Sequence, residues 1–175
     1  MKIMLALVLI SILLFGCAGS QTINRENKTD NKMPRNADVV PNNGQAEKNE
    51  YGKEQIAGNT TPYVRYSEEF YNDARMENKV IYLYFRANWC PVCNSERSNI
   101  IQAFNEMVIS NAVGFEVHFN DDETTDQDRE AARKFGISYQ HTTIILNRPG
   151  EAVYRSLSPI SKDGIIAELS KIAEQ

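Results

Sequence analysis

A chain of 175 residues with 42% hydrophobic positions and a formal net charge of −4 carries enough apolar material for one compact domain and an appendage, but too little for two ordinary domains. No basic patch with interleaved aromatics occurs, so nucleic acid is not an expected partner. The three cysteines make an odd count, so they cannot all be paired within the chain.

The chain opens with Met1-Lys2 and an apolar run over residues 3–15. A short positive start and an apolar stretch of that length describe a secretory signal, too short to persist as a spanning helix. The run closes on Leu14-Phe15-Gly16-Cys17, which resembles a bacterial lipobox, although Phe15 is larger than the residue usual there. The resemblance implies a signal peptide over residues 1–16 and a lipid on Cys17; an uncleaved anchor is the rival reading. Either reading places the rest of the chain outside the cytoplasm, in the periplasm if the cell is Gram-negative, where disulfides persist. Residues 17–60 are then the lipidated Cys and a tether. From Ala18 to about Asn59 the chain is rich in Asn, Lys, Glu, Gln and Thr, with scattered Pro and Gly and no sustained period. Such a stretch buries too little surface to offset its ordering entropy, so it is expected to be disordered. As a flexible coil it would reach roughly 35–40 Å root-mean-square.

The folded part is expected over residues 61–175. Ser67-Glu68-Glu69 supplies a cap and first-turn acids for a helix with Phe70 and Ala74 on its apolar face, ended by Asn78-Lys79. Residues 80–87 read as a strand of nearly unbroken apolar character, as in the buried middle of a sheet. A helix over residues 95–110 follows, with Ile100, Ile101, Phe104, Met107 and Val108 at helical spacing, and then a strand over 115–120. The acidic run from Asp121 to Asp126 lacks the regular spacing and distal Glu of a calcium loop. It is expected to be a solvated loop that caps a helix over 125–135, which Gly136 stops. Residues 142–146 and 151–155 read as strands joined by a turn at 147–150, and Ser161 caps a last helix over 162–173. Alternating strands and helices in the first half imply parallel pairing, and the final hairpin is antiparallel. The expected class is α/β, a mixed central sheet of about four strands with helices on both faces.

The chemistry concentrates in Phe85-Arg86-Ala87-Asn88-Trp89-Cys90-Pro91-Val92-Cys93, where a strand hands over to a helix. The unpaired N–H groups and the dipole at a helix start favour negative charge. A thiolate is such a charge, so Cys90 is the expected nucleophile. Cys93, one turn further in, is the expected buried resolving thiol, and Glu96, one turn beyond it, is a candidate base.

This order and motif placement resemble the thioredoxin family over about residues 61–175. Phe85, Ala87, Trp89, Cys90 and Cys93 match the family's active-site strand and turn. Phe135-Gly136-Ile137 matches the segment leading to its active-site-facing loop, and residues 147–150 match its hairpin turn. The resemblance implies the thioredoxin fold and a thiol–disulfide oxidoreductase, with Cys90–Cys93 as a redox-active disulfide and no other cofactor. It further implies that Trp89 shapes the rim of the peptide-binding surface and that backbone around Gln140 and Thr142 pairs with the substrate. The implied partners are a disulfide-bearing client protein and a membrane electron-transfer partner. Trp89 directly before Cys90 resembles thioredoxins and tethered reductases, whereas Pro91 and a cationic His141 would stabilise a thiolate as in oxidants. Reduction is the expected direction.

Three positions depart from the family pattern. Its cis-proline is replaced by His141, its buried Asp by Tyr84, and its Gly-Pro dipeptide by Pro91-Val92. A cis bond before His141 would cost about 3–4 kcal/mol, so a trans bond or a well-supported strain is expected. In the family position, His141 would lie near both sulfurs, either depressing the Cys90 pKa as an imidazolium or taking a proton from Cys93 as a neutral base. Plain packing is the bland alternative for His141, and core packing is the expectation for Tyr84. A different class of function also follows from the missing proline. Cys90, Cys93 and His141 would form a two-Cys, one-His set for copper(I) or zinc, in a metal-binding or delivery module, with His118 poorly placed to join it. A redox-inert interaction domain that merely keeps the fold is the third reading.

Overall fold

In the computed structural model, which describes residues 54–175, ten elements follow in chain order. They are β1 (Gln55–Ala57), β2 (Tyr63–Arg65), α1 (Glu68–Met76), β3 (Val80–Arg86), α2 (Pro91–Glu106) and β4 (Ala112–His118), then α3 (Asp126–Lys134), β5 (Thr142–Leu146), β6 (Ala152–Ser156) and α4 (Lys162–Ala173). Among the described residues, no helix is long and apolar enough to cross a membrane. Cys17, the signal segment and most of the tether lie outside the described residues.

The strands form one six-stranded mixed sheet in the order β1-β2-β4-β3-β5-β6. β4 pairs parallel with both β2 and β3, while the remaining pairs are antiparallel. All seven residues of β3 are buried, as its unbroken apolar run requires of a central strand. Its alternating side chains feed two cores. Tyr82 and Tyr84 pack with Ile100 and Phe104 of α2 and Leu169 of α4, whereas Ile81, Leu83 and Phe85 pack with Tyr71 and Ala74 of α1 and Ala131 of α3. Helices therefore cover both faces. At Gly114 a Cβ would overlap the rings of Phe104 and Tyr63, themselves stacked 4.9 Å apart, so the bare backbone lets α2 sit close to the sheet.

The expected caps are present. Ser67 Oγ accepts from Phe70 N (3.1 Å), Ser161 Oγ accepts from Gly164 N (3.2 Å), and Thr125 forms a capping box with Asp128. Such caps stabilise a helix by about 1 kcal/mol each.

Three expectations are corrected. The sheet has six strands rather than about four, because β1 and β2 precede the elements legible in the sequence. At three residues each, these strands are too short to show a period. β1 also falls inside the stretch expected to be tether, held by antiparallel pairing to β2. Second, α2 spans Pro91–Glu106, not 95–110, because Pro91 is pre-set for the first helical position. Its end is drawn off by Thr61, whose Oγ1 accepts from Ile109 N (2.8 Å) and donates to Ile109 O (3.1 Å), which leaves Val108 exposed. Third, β4 begins at Ala112, paired with Val80, three residues before the expected start at 115.

Candidate active site

Cys90 is the N-cap of α2, with extended backbone (φ −86°, ψ 112°), and its Sγ accepts a hydrogen bond from Cys93 N at 3.2 Å. The two cysteines form a disulfide with Cα atoms 5.2 Å apart. Cys93 is fully buried and Cys90 retains 7% exposure, so the sulfur at the helix start is the one a partner can reach. The helix start thus supplies a donor to the atom that would carry negative charge. Pro91 has no N–H to leave unpaired there.

Side-chain hydrogen bonds hold the loop that presents the disulfide. Asn94 donates to Asn88 O (2.9 Å) and accepts from Arg86 Nη2 (2.6 Å). Asn88 N donates to Asp121 Oδ2 at 2.8 Å, and Trp89 Nε1 donates to Asn120 O at 3.0 Å. Trp89 itself is 56% exposed. Val92 and Tyr139 are also exposed. A cleft of about 500 Å³ opens beyond Asn120, floored by Phe119, Ala132 and Ile137, with Arg129 and Arg133 among its other lining residues.

The acidic run is not simply solvated. The Asp121 side chain is fully buried and accepts from Asn88 N, from Thr124 Oγ1 (2.8 Å) and from His118 Nδ1 (2.8 Å). Burial pushes its carboxyl up, but these donors outweigh burial and hold it below the usual carboxylate range. His118 joins a larger buried set. Glu116 receives Arg97 Nε (2.7 Å), Arg86 Nη1 (3.4 Å) and the Tyr63 hydroxyl (3.2 Å), with His118 Nε2 at 3.7 Å. Burial would raise Glu116, yet His118, Arg97 and Arg86 together lower it. For His118, burial favours the neutral form, but Glu116 and Asp121 raise its pKa above the ordinary value. Sequence reasoning did not find this set. The signal available was a charge or imidazole at Arg86, Glu116 and His118, on the inward-facing ends of strands otherwise apolar.

His141 occupies the position before β5, with its N–H donating to Phe85 O at 2.7 Å. Its φ is +66°, a left-handed conformation that costs a non-glycine residue about 1–2 kcal/mol. Its Nδ1 lies 2.8 Å from Glu96 Oε2, in a pair whose side chains are 13% and 1% exposed. The two atoms are at ion-pair distance but are not aligned for a directed hydrogen bond. Glu96 Oε2 and both imidazole nitrogens have no hydrogen-bond partner among the described residues. Glu96 Oε1 accepts from Ile160 N at 2.8 Å. Burial pushes the Glu96 carboxyl up, and Ile160 N–H, His141 and Tyr84 offset this only in part. Tyr84 packs in the core and also donates its hydroxyl to Cys93 O at 3.3 Å.

Gln140 is half-buried, and Thr142 is buried with its hydroxyl donating to Tyr139 O at 2.8 Å. The two cysteines of the metal alternative are joined to each other as a disulfide. Among the described residues, no group of three or more His, Cys, Asp or Glu side chains is placed to hold a metal ion.

No protein-family model matches the chain, and no curated protein matches it either. Solved structures do. The chain is similar to Trxlp from Edwardsiella tarda, at 23% identity and TM-score 0.50, over 60% of this chain and 95% of that one. It is likewise similar to a mutant thioredoxin from Halobacterium salinarum, at 20% identity and TM-score 0.51, over 69% of this chain and 97% of that one. The fold is the thioredoxin fold.

Proposed function

We propose that this chain is an extracytoplasmic thiol–disulfide oxidoreductase that reduces protein disulfides and is held to a bacterial membrane by a lipid on Cys17. The observation that carries the reading is Cys90 at the N-cap of α2, its Sγ accepting from Cys93 N while bonded to a wholly buried partner sulfur. Thiolate attack requires one accessible sulfur, stabilised as an anion, and one protected sulfur that waits. The sequence resemblance at Trp89 supports reduction as the direction, and the lipobox-like Leu14 to Cys17 supports the tether.

In the reaction, the Cys90 thiolate attacks one sulfur of the client disulfide and displaces the other, which leaves as a thiolate and takes a proton from water. Cys93 then attacks Cys90 Sγ. The Cys90–client bond breaks, the Cys90–Cys93 bond forms, and the client departs with two electrons and two protons gained overall. A membrane dithiol partner restores the reduced pair. Trp89, Val92 and Tyr139 offer apolar surface to the client beside the sulfur, and backbone around Gln140 and Thr142 aligns its chain.

The test is catalysed reduction of a protein disulfide by a small dithiol, using the chain with Cys17→Ser so that only the site thiols react. Cys90→Ser is expected to abolish catalysis, and Cys93→Ser to accumulate a mixed disulfide through Cys90. Full activity in Cys90→Ser would refute the reading.

A further inference from the structure

Two adjacent observations in the candidate active site remain unused by the exchange chemistry. Cys93 has no exposure at all, and a wholly buried thiol resists ionisation, so its proton needs an acceptor inside the fold before it can attack. One helical turn on, the same buried face of α2 carries Glu96 at 2% exposure, 2.8 Å from His141. A buried carboxylate and an imidazole that have mainly each other as charge partners, with no directed hydrogen bond at Glu96 Oε2 or at either ring nitrogen, are costly to keep, because buried polar atoms forfeit their solvation. The backbone at His141 is also held at a positive φ. Strain and unmet polar atoms at one place are arrangements that structure persists with where they serve the chemistry.

We propose that Glu96 and His141 together form the acceptor of the Cys93 proton during resolution of the mixed disulfide. The proposal rests on the oxidoreductase reading and names two of that reaction's residues. The Cys93 thiol proton passes to His141 Nε2, while Glu96 Oε2 beside Nδ1 stabilises the imidazolium that forms. The Cys93 thiolate attacks Cys90 Sγ, the Cys90–client bond breaks, and the client sulfur leaves as a thiolate. The pair then loses its proton to water or to that thiolate. Tyr84 links the two sites, its hydroxyl on Cys93 O at 3.3 Å and its ring edge-on to the imidazole at 6.5 Å between centroids. The other groups facing the pair are Ile160 N–H before α4 and the Tyr82 hydroxyl on β3, with Arg86 further along that strand. Burial pushes both phenols far above their ordinary values, so they stay neutral and leave the proton to the pair.

An aromatic disulfide that releases a coloured thiolate separates the steps. Its first thiolate appears when Cys90 attacks, and its second when Cys93 resolves. In the full chain with Cys17→Ser, the second phase should stay fast below the ordinary thiol pKa of about 8.5. In Glu96→Gln, whose amide oxygen can still accept from Ile160 N, and in His141→Asn, which tolerates a positive φ, that phase should slow at least about tenfold. Its rate should then rise about tenfold per pH unit until the thiol range is reached. Second phases within twofold of the parent in both variants, with an unchanged pH profile, would overturn the proposal. If the parent chain itself gives no first phase, the oxidoreductase reading fails, and this inference fails with it.

Discussion

Helix α2 carries Glu96 and Arg97 side by side, and each enters a different buried polar neighbourhood. Arg97 joins Glu116, Arg86, His118, Asp121 and Tyr63, a set in which Arg86 Nε is the one buried side-chain atom without a partner among the described residues. Glu96 meets His141 in a pair with three such atoms. Glu96 and Arg97 both lie about one turn beyond Cys93 on α2, so position along the helix does not separate the two sites. Completeness of partnering does. The first set ties β3, β4, α2 and the Asp121 loop into one scaffold under Asn88 and Asn94. The second is left with unmet capacity, which a proton can fill. Buried polar groups that are fully partnered rigidify a structure, whereas half-met ones carry a standing cost.

The sharpest way to break this comparison is to remove one carboxylate from each site. Glu116→Ala strands buried Arg86 and His118 and should cost about 3–5 kcal/mol. Glu96→Gln should change stability by less than about 1 kcal/mol. Denaturant midpoints of both variants decide this, and equal losses would show the two sites to be alike in kind.

A smaller effect sharpens the contrast through pH. Glu116 and Asp121 are held below their ordinary values, so their stabilisation is present above about pH 4 and fades as pH falls through the lowered values. Glu96 is held above its ordinary value, so its protonated form favours the folded state at low pH. That contribution fades as pH rises from about 4 through the raised value. The parent's stability advantage over Glu116→Gln should therefore shrink on acidification, while its advantage over Glu96→Gln should shrink on the alkaline side. Stability curves of the two variants that run parallel across the acidic range would contradict the assigned directions.

Much of this architecture was legible in the residues. The strand at 142–146 and the helix at 162–173 coincide with β5 and α4, since the first is a short β-branched run before a turn and the second has helical spacing and the Ser161 cap. Cys90 at a helix start also followed directly from the strand-to-helix handover. What escaped was fixed by contacts distant in sequence. β2 exists because Tyr63–Arg65 pairs with Gly114–Glu116, and no local pattern in three residues announces that. Asp121 looked like one acid among several in a solvated run. Its burial depends on His118 and on Asn88, which lies 33 residues earlier in the chain. His141 and Glu96 were each singled out, but their pairing depends on how β5 docks beside α2, which spacing along the chain does not encode.

The central claim is that Cys90 and Cys93 form a reversible redox centre poised for reduction. Its most direct test is the reduction potential of the pair, followed by Trp89 fluorescence across a thiol buffer series in the Cys17→Ser chain. A value near or below about −250 mV is expected, among the reductants of this chemistry. A value near about −120 mV would reverse the direction to oxidation. A pair that forms no reversible disulfide would contradict the account at its root.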